Sequence, residues 1–528
     1  MPEPRRPVPV ALFVAVMLVA VALHARAIGF GFSFLDDDRL IVDQQAQLAA
    51  PSNVWRAFAR PYFPPSGRDH AYYRPLVTVS YGLDASWTGD RPHGYHLTNV
   101  LLAALAAGLL FRLLIAFGYG SGIALFGALL YAVHPALAET VAWIPGRPDA
   151  LVVVFALAAW LLLARARETE RWTDRIAHLL AWLAALLCKE VALVLPLAYA
   201  GHLILVERRP LRRVLEPWLV AGWAGVLLVY FVARAVVLSG NLGAAGVTVA
   251  SWTSSPAFLL GSLGKLALPI HLAVLATPED SMLWPGLVAA AALVAIVMGT
   301  LRGFPNPPAM GRGEQSSPAP HTIAIVPGMR RTRVLFAIGC FIAFVLPGLP
   351  ASRVLLLESR LALPAIAIVL VACEVAHRLD AWPRVRPIAG GVLIAGLAAV
   401  SFVYAGNFRD RLTFAQAAVR GSPHAALAHR NLGVAYHLAG QTPLARLEYQ
   451  AAVADDPTEP VVHNNLAVLL MAEGRLPEAE QELRTEIAVN PDYAVAHDNL
   501  ARVLRALGRP EEAAGQEAIA ASLGARAD

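Results

Sequence analysis

Charged residues and cysteines are scarce in this sequence. Asp, Glu, Lys and Arg make up only 15% of its 528 residues, whereas soluble proteins carry about 25%. The three cysteines are too few for a disulfide framework, and no two of them have the spacing of a metal site. The scarcity of charge argues against a soluble enzyme and a disordered chain, and the small net charge of +5 argues against nucleic-acid binding.

Apolar residues are abundant instead. They make up 57% of the chain, and the mean hydropathy is +0.54, so much of the chain needs lipid. A first apolar run, residues 7–28, follows Arg5 and Arg6. The run is too long for the core of a signal peptide and long enough to span a bilayer, which takes about 20 residues. We therefore expect a first transmembrane helix with its N-terminus in the cytoplasm.

Further apolar runs predict a multispan bundle. They lie at residues 97–117, 121–136, 148–164, 176–188, 190–206, 215–238, 256–275, 284–301, 334–350, 361–377 and 387–405. Arginine-rich loops stay in the cytoplasm, and all such loops fall inside if 256–275 does not cross. That run contains Lys265, Pro269 and His271, which is typical of a re-entrant helix. We favour about eleven spans plus this re-entrant segment; the alternative is that 256–275 crosses and the charge rule fails there.

The apolar runs, and the composition of the residues between them, divide the chain into two domains, two loops and a linker. Residues 1–405 form the membrane domain, with a polar first external loop at 29–95. A flexible cytoplasmic loop, rich in Pro, Gly and Ser, is predicted at 302–333. Residues 406–424 are predicted to be a linker, and the polar, acidic residues 425–528 form a separate C-terminal domain.

Residues 425–528 repeat with a period of 34. The aligned positions include three histidines and three asparagines: His429, His463, His497, Asn431, Asn465 and Asn499. This period predicts three tetratricopeptide repeats, which form an α-solenoid with a concave face for an extended peptide. The repeated His and Asn either line that face or pack one repeat against the next. The predicted fold class is therefore all-α.

Three adjacent carboxylates after the first span are the leading candidates for catalysis. Asp36, Asp37 and Asp38 repel one another unless they are solvated or have a task. At a membrane surface, a carboxylate with a raised pKa can serve as a general base. The alternative is a solvated turn or a helix cap.

Other polar groups lie where this topology places the outer membrane face. Ionisable groups in membrane segments are functional hypotheses by default; the alternative for Lys189–Glu190 is a neutralised structural pair. A zinc site at His134 and Glu139 is disfavoured, because positions i and i+5 do not share a helix face. The candidate binding residues are Arg74, His96, His134, Glu139, Arg147, Asp149, Lys189, Glu190, Arg353, Glu358 and Arg360.

In order and spacing these residues resemble the TMTC-type protein O-mannosyltransferases and their bacterial relatives. The matching segments are 36–38, 73–76, 94–99, 134–149, 189–190 and 358–360, and the segment 134–149 is the most specific. The resemblance implies a GT-C-type fold with a catalytic first external loop, and a polyprenyl-phosphate sugar as donor. The array of three repeats is short for this family, which leaves the acceptor open.

The resemblance and the residues together predict a membrane glycosyltransferase. It would move a sugar, with mannose expected, from the lipid to a Ser or Thr hydroxyl of a protein. The aspartates would take the hydroxyl proton, the arginines and Lys189 would hold the leaving phosphate, and the repeats would bind the acceptor polypeptide. No cofactor is required, and a divalent metal at the aspartate cluster stays open, without support from a ligand pattern.

The expected location is the bacterial inner membrane, with a cytoplasmic N-terminus and the repeats on the periplasmic side. The alternative function is a non-catalytic, membrane-anchored scaffold for envelope protein assembly. A transporter of lipid-linked sugars is disfavoured, because the sequence shows no paired inverted repeats.

Overall fold

The structure, a computed structural model, describes residues 9–33, 35–50, 53–63, 72–238, 255–277, 280–302, 327–347, 357–378 and 384–527. Within these ranges every regular element is helical, which confirms the predicted all-α fold. Residues 303–326, most of the predicted cytoplasmic loop, lie outside them, as does the candidate Arg353.

The membrane domain contains a helix in each apolar run that the sequence indicated. Its helices are α1 Val10–His24, α2 Gln45–Leu48, α3 Pro75–Thr88, α4 Pro92–Ala116, α5 Ser121–Val133, α6 Ala138–Ala142, α7 Arg147–Thr169, α8 Trp172–Leu186, α9 Leu195–Gly201, α10 Leu211–Val214, α11 Pro217–Leu238, α12 Ser255–Ala267, α13 Trp284–Arg302, α14 Pro327–Val345, α15 Ala362–Arg378 and α16 Val385–Ala405. Short 3-10 and π turns join several of them.

Several of these helices are long and apolar enough to cross a membrane. In the described part of the chain six pass that test alone, and α5 with α6, bent by 54°, makes a seventh if the pair counts as one span. Shorter apolar helices lie at Glu190–Val206, Pro256–Ala267, Trp284–Gly299 and Thr332–Val345. The chain is therefore a multispan membrane protein, and the total of eleven spans stays a prediction.

Helix α4 lies at the centre of the bundle and packs against α1, α5 and α7. Its buried face includes the small residues Ala104, Ala107 and Gly108, which let neighbouring backbones approach closely in an apolar environment. A Cβ atom at Gly108 would lie 2.8 Å from the Phe13 ring. Glycine therefore sets the distance between α4 and α1.

The segment predicted to be re-entrant begins with the short helix α12. Thirteen residues rise only about 20 Å, less than the hydrocarbon thickness of about 30 Å. The chain then continues without regular structure to residue 277, and the amide of Ala273 donates to Glu358 Oε1 at 3.0 Å. Irregular backbone at membrane depth requires such protein partners, so this geometry fits a segment that enters without crossing.

The predicted linker, residues 406–424, contains a packed helix, α17 Arg411–Gly421. Its Phe414 ring stacks on Trp143, with ring centroids 6.4 Å apart. On either side of α17, the Gly31 amide donates to the Arg409 carbonyl at 2.8 Å, and the Thr277 amide donates to Ser422 Oγ at 3.3 Å. The repeats are thus mounted directly on the membrane domain.

Three helix pairs follow, as the period of 34 predicted. They are α18 Ala426–Leu438 with α19 Thr442–Asp455, α20 Val462–Ala472 with α21 Leu476–Val489, and α22 Ala494–Ala506 with α23 Pro510–Ala527. The aligned glycines Gly440, Gly474 and Gly508 have φ of 73°, 73° and 78°. That left-handed conformation favours glycine, so the glycines end the first helix of each pair.

The repeated histidines pack the repeats together. His463 places Nδ1 2.6 Å from Glu482 Oε2 and Nε2 3.1 Å from the Pro457 carbonyl. His429 and His497 make the equivalent bonds one repeat earlier and later. Of the two roles that the sequence left open for these histidines, the structure supports packing.

Candidate active site

The aspartate cluster lies in a turn between α1 and α2, where the chain forms a short π-helical segment, Asp38–Val42. Asp37 points inward and is only 1% exposed. Its Oδ2 accepts from both the amide and the hydroxyl of Ser33, each at 2.7 Å. These two hydrogen bonds hold the Asp37 carboxylate in one orientation.

The two neighbouring aspartates face different parts of the molecule. Asp38 is half-exposed and lies 3.9 Å from Arg411 on α17. Burial raises the pKa of Asp38, Arg411 lowers it in part, and Asp43 raises it again. Asp36 lies close enough to Tyr62 for its charge to add to the burial that raises the pKa of that tyrosine. The three carboxylates therefore diverge from one turn.

Tyr62 connects the aspartates with the first candidate cation. The Arg74 guanidinium lies over the rings of Tyr62 and Tyr72, 5.3 and 4.4 Å from their centroids. Arg74 also donates to Glu190 Oε2, at 2.9 Å from Nη2, and Arg234 lies 3.6 Å from the same carboxylate. Glu190 thus sits between two arginines.

The adjacent residue, Lys189, forms a second pair. Its Nζ donates to both oxygens of Asp149, at 2.6 and 2.5 Å, and both side chains are largely buried. Lys189 and Glu190 therefore belong to two separate ion pairs, and the partner of each lies far away in the sequence. The sequence left open that Lys189 and Glu190 neutralise each other. In the structure each of them pairs with another residue, and the two pairs link separate elements of the bundle.

Arg360 completes the cluster and differs from the other cations. It lies in the turn before α15, close enough to Tyr72, Asp149 and Arg74 for their charges to act on its guanidinium. Its Nη1 is buried and has no hydrogen-bond partner among the described residues. We refer to Arg74, Lys189, Arg234 and Arg360, with Asp149 and Glu190, as the basic cluster. The cluster has four cations and two carboxylates, and the charge of a third carboxylate, Glu139, also acts on Arg360 from beside it, so positive charge is in excess.

Arg147 belongs to the core beside this cluster. It is fully buried, and its guanidinium donates to Asn99 Oδ1 at 2.8 Å, to the Tyr95 carbonyl at 2.6 Å and to the Asp84 carboxylate. The Tyr81 ring lies 4.7 Å from it. These contacts join α3, α4 and α7 and leave the donors of Arg147 engaged within the protein.

A second buried polar group links α6, α12 and the turn before α15. Glu139 and Glu358 are both fully buried, and the Glu358 amide donates to Glu139 Oε2 at 2.9 Å. Lys265 Nζ lies 3.1 Å from Glu358 Oε1. His134 bonds to the Leu266 carbonyl at 2.9 Å. These candidates hold α12 and the chain that follows it against the bundle, and they lie beside the basic cluster because Arg360 follows Glu358 by two residues.

His96 positions the loop that carries the aspartates. It is buried at the start of α4 and its Nε2 lies 3.3 Å from the Gly31 carbonyl. The amide of the same glycine donates to Arg409. Gly31 is thereby held from both sides, two residues before the serine that orients Asp37.

The sequence reasoning missed several partners of the predicted residues. No motif in the sequence marked Asp84, Arg234 or Tyr62, and Lys265 stood out only as part of a broken helix. One signal was available for Lys265, since it and Lys189 are the only lysines in the chain. Among the described residues, no three His, Cys, Asp or Glu side chains lie together as metal ligands would.

The chain is similar to known proteins in both of its parts. A family model for dolichyl-phosphate-mannose-protein mannosyltransferases matches residues 82–238, and a tetratricopeptide repeat model matches residues 397–460 and 464–526. The first match contains Arg147, Asp149, Lys189 and Glu190. The second confirms the predicted repeats.

Individual proteins that are similar to this chain are named protein O-mannosyl-transferases. Protein O-mannosyl-transferase Tmtc1 of Drosophila melanogaster is 34% identical over 180 residues, which is 33% of this chain and 20% of that protein. Tmtc2 of the same organism is 29% identical over 185 residues, again 33% and 20%. TMTC2 of Mus musculus is 38% identical over 109 residues, 20% of this chain and 13% of that protein. The aligned region thus spans a fifth or less of these relatives, and the resemblance to TMTC-type proteins is confirmed.

Proposed function

We propose that the protein is a membrane glycosyltransferase. It takes a sugar, with mannose as the first candidate, from a polyprenyl-phosphate donor and attaches it to a Ser or Thr hydroxyl of a polypeptide. The reaction takes place at the outer face of the bacterial inner membrane, where the repeats hold the acceptor. The family match over residues 82–238 and the names of the relatives support this reaction class.

The observation that carries the proposal is the unsatisfied guanidinium of Arg360. A buried donor without a partner costs about 1–3 kcal/mol, and more for a charged group. The basic cluster around it has excess positive charge, and guanidinium groups bind phosphate with paired, charge-assisted hydrogen bonds. A donor phosphate beside Arg360 would satisfy this group and neutralise the cluster.

The other members of the cluster have supporting tasks in this proposal. Lys189 and Arg74 are each held by one carboxylate, so their positions are fixed before the donor binds. Preorganised charge of this kind stabilises a leaving group without reorganisation during the reaction. As the bond between the anomeric carbon and the phosphate oxygen breaks, the electron pair stays on the phosphate, whose growing charge the cluster stabilises.

The aspartate turn supplies the base. A carboxylate of Asp36, Asp37 or Asp38 takes the proton of the acceptor hydroxyl, whose oxygen then bonds to the anomeric carbon. Tyr62 lies between Asp36 and Arg74, so a single aromatic residue separates the base from the phosphate site. In this proposal the acceptor and the donor approach one reacting carbon from two sides.

A transfer assay with purified protein tests the proposal. We expect labelled mannose to move from polyprenyl-phosphate mannose to a pool of Ser/Thr peptides, and Arg360→Gln to reduce the rate by about two to three decades, as losing one charge-stabilising donor does. Arg378→Gln, at the opposite end of α15, is the matched control and should keep full activity. Absence of transfer by the wild-type chain would favour the scaffold alternative, and full activity of Arg360→Gln would reject the phosphate site.

A further inference from the structure

Arg175 lies at the end of the bundle that is remote from the candidate active site. Helix α7 runs for 23 residues away from Asp149 before α8 begins, a rise of about 34 Å. The Arg175 guanidinium lies over two tryptophan rings, 5.1 Å from the centroid of Trp172 and 4.9 Å from that of Trp218. Trp172 begins α8 and Trp218 is the second residue of α11. Cation–π attraction to both rings therefore holds this guanidinium between two helices.

The hydrogen-bond donors of Arg175 are unused. Its side chain makes no hydrogen bond or ion pair with any residue that the structure describes, and its Nε is buried without a partner. Other charged groups of these loops are engaged: Arg165 lies 3.0 Å from Asp174, and Glu216 accepts from the Trp218 indole at 2.8 Å. Arg175 is thus positioned by aromatic rings and keeps its polar edge for another partner.

The two loops at this end of the bundle are basic. Residues 165–175 and 207–216 together contain eight arginines and five carboxylates. On the predicted topology both loops lie on the cytoplasmic side, where the leaflet surface is negative. Tryptophan prefers the headgroup level of a bilayer. Since Trp172 begins α8 and is largely exposed, it places Arg175 at the depth of the lipid phosphates.

An exposed apolar stripe on α8 continues from this point toward the hydrocarbon. Trp172, Ile176 and Leu180 follow one another at intervals of four residues and are 66, 51 and 60% exposed. Side chains at this spacing lie on one face of a helix. A phosphate at Arg175 and an acyl chain along the stripe are the two parts of a single amphiphilic ligand.

We propose that Arg175, Trp172 and Trp218 form a binding site for an anionic phospholipid of the cytoplasmic leaflet. The guanidinium donates to the phosphate oxygens as a planar fork, and an acyl chain lies along Ile176 and Leu180. The excess of arginine in the two loops disfavours a zwitterionic lipid, whose ammonium group it repels. The site is separate from the basic cluster, and the inference does not depend on the proposed transfer. The alternative is that Arg175 only extends to water, as long cationic side chains do at membrane surfaces.

A lipid bound there would restrain two helices that carry part of the basic cluster. Glu190 follows the other end of α8, and Arg234 on α11 lies 3.6 Å from its carboxylate. The two helices pack closely, since a Cβ atom at Gly222 on α11 would lie 2.7 Å from Leu179 on α8. Because a ligand that binds only the folded protein stabilises it, the bound lipid should raise the thermal stability of the protein.

Native mass spectrometry of the full chain in detergent tests the binding. We expect the wild type to retain phosphatidylglycerol in preference to phosphatidylcholine, and Arg175→Gln to weaken phosphatidylglycerol binding about ten- to a hundredfold, the value of a hydrogen bond to a charged group. Arg175→Lys keeps the charge without the planar fork and should also bind more weakly than the wild type. Arg112→Gln is the matched control, because it removes the same charge from an exposed arginine in the last two turns of α4, and should bind as the wild type does.

Two results of this experiment would overturn the site. The first is a wild type that retains both lipids equally. The second is equal weakening by Arg175→Gln and Arg112→Gln, which would show that lipid is attracted only by the net charge of this end of the bundle.

Thermal unfolding gives a second readout. Phosphatidylglycerol should raise Tm of the wild type and of Arg112→Gln, and should leave Tm of Arg175→Gln unchanged. Without lipid, Arg175→Gln should unfold close to the wild type, because its side chain makes no hydrogen bond with the described residues. Trp172→Leu, which removes an exposed ring and keeps an apolar side chain, is the second variant and should reduce the rise in Tm. An undiminished rise in both Arg175→Gln and Trp172→Leu would reject the site.

Inorganic phosphate and glycerol phosphate distinguish the lipid from a free anion. Both offer oxygens to Arg175, but neither contacts Ile176 and Leu180. We therefore expect neither anion to raise Tm or to displace phosphatidylglycerol when added at the same concentration. Displacement by either anion would overturn the assignment of a lipid as the ligand.

Discussion

Lys189 donates hydrogen bonds to both carboxylate oxygens of Asp149, a residue that lies 40 positions earlier in the chain. The next residue, Glu190, binds Arg74, 116 positions earlier. Two consecutive residues thus link the end of α8 to the start of α7 and to the start of α3. These links fix four of the five charged residues that surround Arg360 in the basic cluster, before any ligand is present.

Removing one member of the Lys189–Asp149 pair should destabilise the protein strongly. Asp149→Asn leaves a largely buried ammonium without a countercharge, and breaking a buried pair in this way costs about 3–5 kcal/mol. Arg475→Ala, which breaks exposed pairs in the repeats, is the control and should lower stability far less, because solvent screens exposed ion pairs. Thermal unfolding in detergent compares the two, and equal losses would show that Lys189–Asp149 is not effectively buried.

Replacing Asp37 by Asn should lower transfer by about two to four decades, the range for loss of a general base, with the fold intact. Asn keeps the shape and an oxygen for Ser33, so the turn should persist. Ser33→Ala serves as the control for orientation alone and should have a smaller effect. Asp36→Asn and Asp38→Asn are measured in parallel, and full activity of all three variants would reject carboxylate catalysis.

The repeats should become less stable as the pH rises. The hydrogen bond to Glu482 raises the pKa of His463, burial lowers it in part, and the Pro457 carbonyl raises it again. Burial lowers the pKa of His429, but Glu448 and the Pro423 carbonyl raise it by more. Because both pKa values are raised on folding, the stabilisation is complete below the unfolded value of about 6.5 and is lost as the pH rises through the folded values.

The third repeat provides the control for this pH dependence. Gln516 stands where the other two repeats have Glu482 and Glu448. We expect Glu482→Gln to cost about 1–2 kcal/mol at pH ~5.5 and little at pH ~8.5, whereas Gln516→Glu should steepen the pH dependence. Thermal unfolding of the full chain across this range measures both, and a Tm of the wild type that rises with pH would contradict the assignment.

Cysteine labelling should place the repeats on the outer side of the membrane. All three native cysteines are buried, so they add little background. Ser522→Cys, exposed on α23, should react with a membrane-impermeant maleimide in intact spheroplasts, and Glu168→Cys, exposed near the end of α7, should react only after permeabilisation. The reverse pattern would overturn the predicted orientation.

The helices and the repeats could be read from the sequence because their signals are local. Apolar runs of helical length and the period of 34 depend on residues near one another in the chain. The segment 134–149 also stood out, since it is the most specific part of the resemblance to TMTC-type proteins. In each case, short-range pattern was sufficient to predict the element.

The partners within the site could not be predicted in this way. Arg74 and Glu190, or Glu139 and Glu358, are far apart in sequence and meet only when the bundle is packed. The same holds for α17, whose short apolar stripe of Phe414, Ala417 and Ala418 has meaning only against Trp143 and Val274. Whether an arginine keeps a donor without a hydrogen-bond partner depends on all of its neighbours in the packed bundle. The composition and spacing of the sequence do not show those neighbours.

The mounting of α17 on the membrane domain affects which acceptor positions can be modified. A flexible tether would raise local concentration and let many hydroxyls along an acceptor visit the aspartates. Contacts of Arg409, Phe414 and Ser422 with the membrane domain instead hold the array in one orientation. A polypeptide docked in the repeats would then present hydroxyls to the aspartates at a fixed number of residues from its docked segment. As the polypeptide moves along the repeats, glycans would be added at regular intervals along it.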